Sequence, residues 1–108
     1  MLLYRAVGYD ELQEVLVTRE LRPGPPSFQG KWFAEVLVDG ARWGRRLSRL
    51  TNGDPVHLIE VEVDDADVAG WFRLSFLDRI GPARYADIPD LPQVRFVREV
   101  VPVPVSPS

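Results

Sequence analysis

A chain of 108 residues, 45% of them hydrophobic, can bury one core and is too short for two ordinary domains. It has no cysteine and a single histidine, His57, which argues against disulfides, a thiolate site or a metalloenzyme built on histidines. The net charge of -3 argues against general nucleic-acid binding, which draws its affinity from a basic surface, and leaves room only for a local basic patch.

The apolar runs, such as Val15 to Val17, fall far short of the roughly 20 residues that cross a bilayer. The N-terminal Met1-Leu2-Leu3-Tyr4-Arg5 lacks the layout of a secretory signal, so a cytoplasmic location is expected. Twelve of the thirteen basic residues are arginine, which leaves Lys31 as a singular position.

In chain order, Leu2 to Val7 reads as a strand with Leu3, Arg5 and Val7 on one face and Leu2, Tyr4 and Ala6 on the other. Asp10 opens a helix whose Leu12, Val15 and Leu16 share a face, ending near Arg19. The segment Leu21 to Gly30 holds three prolines and two glycines and predicts a shaped loop. Lys31 to Val38 has strand composition, and Asp39 suits the cap of a second helix running to about Leu50.

Thr51-Asn52-Gly53-Asp54-Pro55 is turn chemistry, and Val56 to Val63 alternates as a strand with Ile59, Val61 and Val63 inward and Glu60 and Glu62 outward. A helical turn or two follows Asp64. Arg73 to Pro92 reads as mostly irregular, with a short strand at Ala83 to Ala86, and Val94 to Val101 alternates again. These elements make an α+β domain over residues 1–101 with two or three short helices, and a proline-rich tail at 102–108 that reads as extended or disordered.

Three segments could carry chemistry. Arg5 on the first strand offers a planar fork that can grip a pyrophosphate, although an isolated arginine more often makes a salt bridge at a sheet edge. Gly30-Lys31-Trp32-Phe33-Ala34-Glu35 combines aromatics with a lysine and a carboxylate, which suits a nicotinamide-ribose pocket, although one of Trp32 and Phe33 should be core. Leu77-Asp78-Arg79-Ile80-Gly81-Pro82-Ala83-Arg84-Tyr85 is a turn that either aims Arg84 and Tyr85 into a cleft or packs Tyr85 beneath the sheet. Glu60-Val61-Glu62 has a Glu-x-Glu form that strand alternation alone produces, and His57 is a weak general-base candidate.

Leu3-Tyr4-Arg5-Ala6-Val7, then Arg22-Pro23-Gly24-Pro25 with Gly30 to Glu35 and Trp43-Gly44, then Leu77-Asp78 with Ile80 to Tyr85, resemble in order a group of small ADP-ribosyltransferase-like domains. Those domains stand at the C-termini of bacterial Rhs and polymorphic toxins. The resemblance spans Leu3 to Leu91 and implies a split pair of small sheets enclosing NAD, with Arg5 holding the dinucleotide. It implies a nicotinamide pocket on the Lys31 to Glu35 strand, with Phe33 against the ring and Lys31, Trp32, Arg84 and Tyr85 among the NAD-binding residues.

The expected catalytic residues are Arg5 and Glu35, with Glu62 and Asp78 as further carboxylates, since a carboxylate near the ribose stabilises an oxocarbenium-like state. Ala34 and Glu35 stand where the family has hydroxyl residues, and Arg84 and Tyr85 lie where its later glutamate belongs.

The resemblance thus implies an NAD-dependent ADP-ribosyltransferase or NAD glycohydrolase of toxin or effector type, delivered into a target cell, with a protein, nucleic acid, small molecule or water as acceptor. Two alternatives accompany it. One is a non-catalytic binding module that keeps the cleft. The other is an antitoxin or immunity protein whose acidic balance suits a basic partner.

Overall fold

The computed structural model describes residues 1–23, 30–53 and 55–100. Residues 24–29, 54 and 101–108 lie outside them, and with them most of the loop expected from Leu21 to Gly30 and all of the tail expected at 102–108.

One six-stranded antiparallel sheet organises the protein, in the order β4-β5-β2-β1-β3-β6. The strands are β1 (Leu2–Val7), β2 (Lys31–Ala34), β3 (His57–Glu62), β4 (Phe72–Leu77), β5 (Gly81–Ala86) and β6 (Arg95–Val100), with helices α1 (Tyr9–Thr18), α2 (Leu37–Leu50) and α3 (Asp65–Val68) and a 3₁₀ turn at Ile88–Gln93. The class is α+β, as the patterning predicts. Among the described residues no helix is long and apolar enough to cross a membrane.

Alternation decides which side each strand residue meets. Leu3, Val7, Phe33, Ile59 and Val61 form one face and join Leu12 and Val15 of α1, Val68, Trp71 and Leu91 in the buried core. Tyr4, Ala6, Ala34 and Leu58 form the other face, under α2. That helix lies close because glycines point at the sheet. A side chain at Gly40 would press on Leu58 Cδ1 at 2.9 Å and Tyr4 Cβ at 3.0 Å, and one at Gly44 would touch Val56 and Ala6.

The sheet is unevenly joined. β1 and β3 pair through six consecutive positions, from Leu2↔Glu62 to Val7↔His57, and β2 and β5 through four. β1 and β2 share only the pair Tyr4↔Ala34. Two three-stranded halves therefore meet at one rung, and beyond it the Arg5 end of β1 parts from the Trp32 end of β2.

Several expectations need correction. β2 stops at Ala34, and α2 begins at Leu37 with Val36 as its cap, so Asp39 sits inside the first turn and makes no cap. Its buried carboxylate packs instead against Gly81, where any side chain would collide with it. The stretch from Arg73 is a β4–β5 hairpin rather than irregular chain. Its turn residues Asp78 and Arg79 both have positive φ, 55° and 60°, and Ile80 donates to the Leu77 carbonyl, the geometry that suits the twist of a two-residue hairpin.

Glu60 is buried and not on a solvated face. It accepts from Arg98 on β6 at 3.2 Å, and it hydrogen-bonds Tyr4, whose phenol pKa is raised by burial and then by the Glu60 charge. Glu62 remains half exposed beside Arg95.

Candidate functional site

The parting between β1 and β2 has two sides with different chemistry. On the α1 side, Arg5 extends across it. Its Nε and Nη2 donate to the two Glu11 carboxylate oxygens at 2.8 and 3.1 Å, and its Nη1 donates to the Trp32 carbonyl at 3.1 Å. Lys31 Nζ reaches the same Glu11 carboxylate at 3.1 Å. Two cations on one carboxylate make a tight knot. Burial alone would raise the Glu11 pKa, but hydrogen bonds and charge from Arg5 and Lys31 outweigh it and hold the carboxyl below its ordinary value. Lys31 is lowered, first by burial and then by repulsion from Arg5, with Glu11 opposing.

On the α2 side the parting opens into a cleft of about 220 Å³. Its walls are Tyr4, Ala6, Trp32 and Ala34 of the sheet, Trp43, Leu47 and Leu50 of α2, and Leu77 of the hairpin, with Arg5 in the floor and Arg46 and Asp78 at the rim. Arg46 Nη1 donates to the Asp78 carbonyl at 3.4 Å, which links the rim across helix and hairpin. Trp43 Nε1 is, among the described residues, the buried side-chain polar atom that lacks a hydrogen-bond partner. The lining is thus mostly aromatic and aliphatic, with an arginine and an aspartate at the rim.

The sequence-derived residues separate on this map. Arg5 and Trp32 both line the cleft, but the Arg5 guanidinium is engaged by Glu11 and the Trp32 carbonyl on the α1 side, so its fork is not free to hold a pyrophosphate. Phe33 does not line the cleft, because its ring points to the opposite face, is 1% exposed and packs on Trp71 with centroids 6.0 Å apart. Phe33 thus cannot touch a ring in the cleft, whereas Trp32 lines it. Lys31 is buried against Glu11 rather than free for a phosphate.

Glu35 lies beyond the end of β2 on the α1 side, away from the cleft. Arg73 Nε and Arg84 Nε donate to its Oε2 at 2.7 and 2.6 Å, and Arg84 Nη1 also binds the Val68 carbonyl. The hydrogen bond from Arg73 leads the causes that hold the Glu35 carboxyl below its ordinary value, against burial, with Arg84 adding to it. This carboxylate ties the end of β2 to β4 and β5. Arg84 is thereby committed to Glu35. Tyr85 stacks against Trp32 at 5.0 Å and accepts from the Gly30 N–H at 2.9 Å, behind the cleft wall. His57, at the start of β3, pairs with Glu99 on β6 and does not line the cleft.

The acidic residue that lines the cleft is Asp78, and α2 supplies walls to which the strand motifs did not point. The signal was present, since Trp43, Leu47 and Leu50 recur at helical spacing beside the sheet-facing Gly40 and Gly44.

Comparison of the chain with protein-family models, with curated proteins and with solved structures gives no match. The functional reading therefore rests on the geometry above and on the motif resemblance.

Proposed function

We propose that the cleft binds NAD in the manner of an ADP-ribosyltransferase-type domain. The observation that carries the reading is the meeting of Arg5 on the first strand and Trp32 on the second at a shared hollow, where β1 and β2 part. About 220 Å³ accommodates a heteroaromatic ring and part of a ribose, so the remainder of the dinucleotide lies over the rim. The ring is placed against Trp32 beside Trp43, and the phosphates meet the Arg46 fork.

Asp78 is the carboxylate for transfer. As the bond between the ribose carbon and the nicotinamide nitrogen breaks, its electron pair leaves with nicotinamide, and the Asp78 charge stabilises the oxocarbenium-like ribose. Water or another nucleophile then bonds to that carbon and gives up a proton. An effector or toxin role follows from the motif resemblance alone, and so does delivery into a target cell.

A second reading is favoured by one observation: Glu35, the carboxylate expected to drive transfer, is engaged by two arginines on the other side of the sheet. In that reading the cleft binds NAD without cleaving it.

Calorimetric titration with NAD, together with chromatographic assay of released nicotinamide, tests both. Binding that weakens about tenfold or more in Arg46→Ala and Trp43→Phe supports the cleft, and nicotinamide release lost in Asp78→Asn supports transfer. Binding without release selects the second reading. No NAD binding at millimolar concentration, or binding indifferent to both cleft variants, overturns the proposal.

A further inference from the structure

The outer face of α2 concentrates charge that the overall balance conceals. Arg42, Arg45, Arg46 and Arg49 recur at helical spacing, so they lie on the side away from the sheet, and all four are exposed. Asp39, in the first turn, is the single acidic residue of the helix and approaches Arg42 at 3.9 Å. Arg46 turns one step toward the cleft rim, where the exposed Arg79 follows Asp78 in the hairpin turn. Among the described residues Arg45, Arg49 and Arg79 have neither hydrogen bond nor ion pair. In a chain of net charge -3, such a stripe is a segregated basic surface.

We infer that this arginine stripe is a docking surface for the phosphate backbone of a single-stranded nucleic acid, which it holds beside the cleft as the acceptor. Every cation in the stripe is an arginine, whose planar fork grips phosphate oxygens in pairs. Arg42, Arg45 and Arg49 follow one another at about one helical turn, roughly 5 Å along the axis, over a stripe of roughly 10 Å, with Arg46 beside Arg45. A line of forks at regular steps suits a polymer that carries a charge on every repeat, whereas an acidic protein surface presents carboxylates at irregular intervals. Arg46 belongs to both the stripe and the cleft rim, so a strand bound along α2 passes the mouth of the cleft. The acceptor role rests on the NAD reading of that cleft, whereas backbone docking stands on the helix alone.

The test is fluorescence anisotropy with a labelled 12-nucleotide single-stranded DNA and its RNA counterpart, from 50 to 200 mM salt, using the full chain. Poly-glutamate serves as competitor. The expected result is binding that falls steeply with salt, in which Arg45→Ala/Arg49→Ala weakens affinity about tenfold or more. That variant should also lower the salt slope by about 1.4, at roughly 0.7 for each phosphate contact on a single strand.

Both substituted arginines are exposed, partnerless and outside the cleft, so the variant should keep the unfolding midpoint and NAD affinity of the unsubstituted protein. Absence of binding at 50 mM salt, unchanged binding by the double variant, or equal competition by poly-glutamate overturns the inference. If NAD still binds in those cases, only the acceptor docking has failed. If the oligonucleotide binds and NAD does not, the cleft reading has failed and the stripe stands alone.

Discussion

Arg5 donates Nη1 to the main-chain carbonyl of Trp32, and this bond crosses the gap where the ladder between β1 and β2 has ended. A side chain thus replaces a rung of the sheet. It can do so because Glu11, on α1, holds the rest of the guanidinium in place.

Glu11 is the keystone of that arrangement, so Glu11→Gln should cost roughly 2–4 kcal/mol in urea unfolding. The loss is that of breaking a largely buried ion pair, which leaves Arg5 and the buried Lys31 facing each other without compensation. Lys31→Met should cost less than about 1 kcal/mol, because Glu11 keeps Arg5 and an ammonium already disfavoured by burial is removed. Equal losses in the two variants would contradict the shared-carboxylate account.

Acid should destabilise the fold through Glu11 and Glu35. Both have folded pKa values below their ordinary ones, so their contribution is complete above the unfolded pKa of about 4.3 and disappears as pH falls through the folded values. The unfolding midpoint should hold steady above about pH 5.5 and drop below it. Glu11→Gln/Glu35→Gln should flatten that acid limb, at lower stability throughout, as urea titrations at stepped pH would reveal.

Trp43→Phe offers a separation of stability from binding. The indole N–H is buried without a partner, and its removal should leave the ligand-free protein unchanged or more stable by roughly 1 kcal/mol. NAD affinity should fall at the same time. A large loss of stability would mean that packing of the indole, rather than its donor, is what the site uses.

Gly30 should not tolerate a methyl group. A Cβ there would collide with the main-chain carbonyl of Ala86, so Gly30→Ala should cost roughly 2–3 kcal/mol. At Gly70 the same atom would meet only the Asp67 carbonyl oxygen at 3.7 Å, and Gly70→Ala should stay within about 0.5 kcal/mol. Thermal melts of the pair would decide it.

The strands that alternate against a single buried face were readable in advance. Leu3, Val7, Ile59 and Val61 alternate strictly, and β1 and β3 stand where that pattern places them. β4 was not readable, because Phe72, Leu74 and Phe76 sit exposed on an edge strand and the turn after it uses Asp78 and Arg79 where glycine or asparagine would have announced a hairpin. The pairing state of Glu35 was equally hidden. Its partners, Arg73 and Arg84, arrive from 38 and 49 residues away through the β4–β5 hairpin. The cleft itself arises where two strands fail to pair and a glycine-lined helix approaches, a relation between segments that local pattern does not encode.

The lone Tyr4↔Ala34 rung also gives the molecule a mechanical direction. Three strands on either side are laced to their neighbours, and a force that spreads the sheet would meet its weakest stitching at this line. Whatever wedges into the hollow pushes on that line, so an occupant of the right thickness acts as a shim that sets the angle between the two halves.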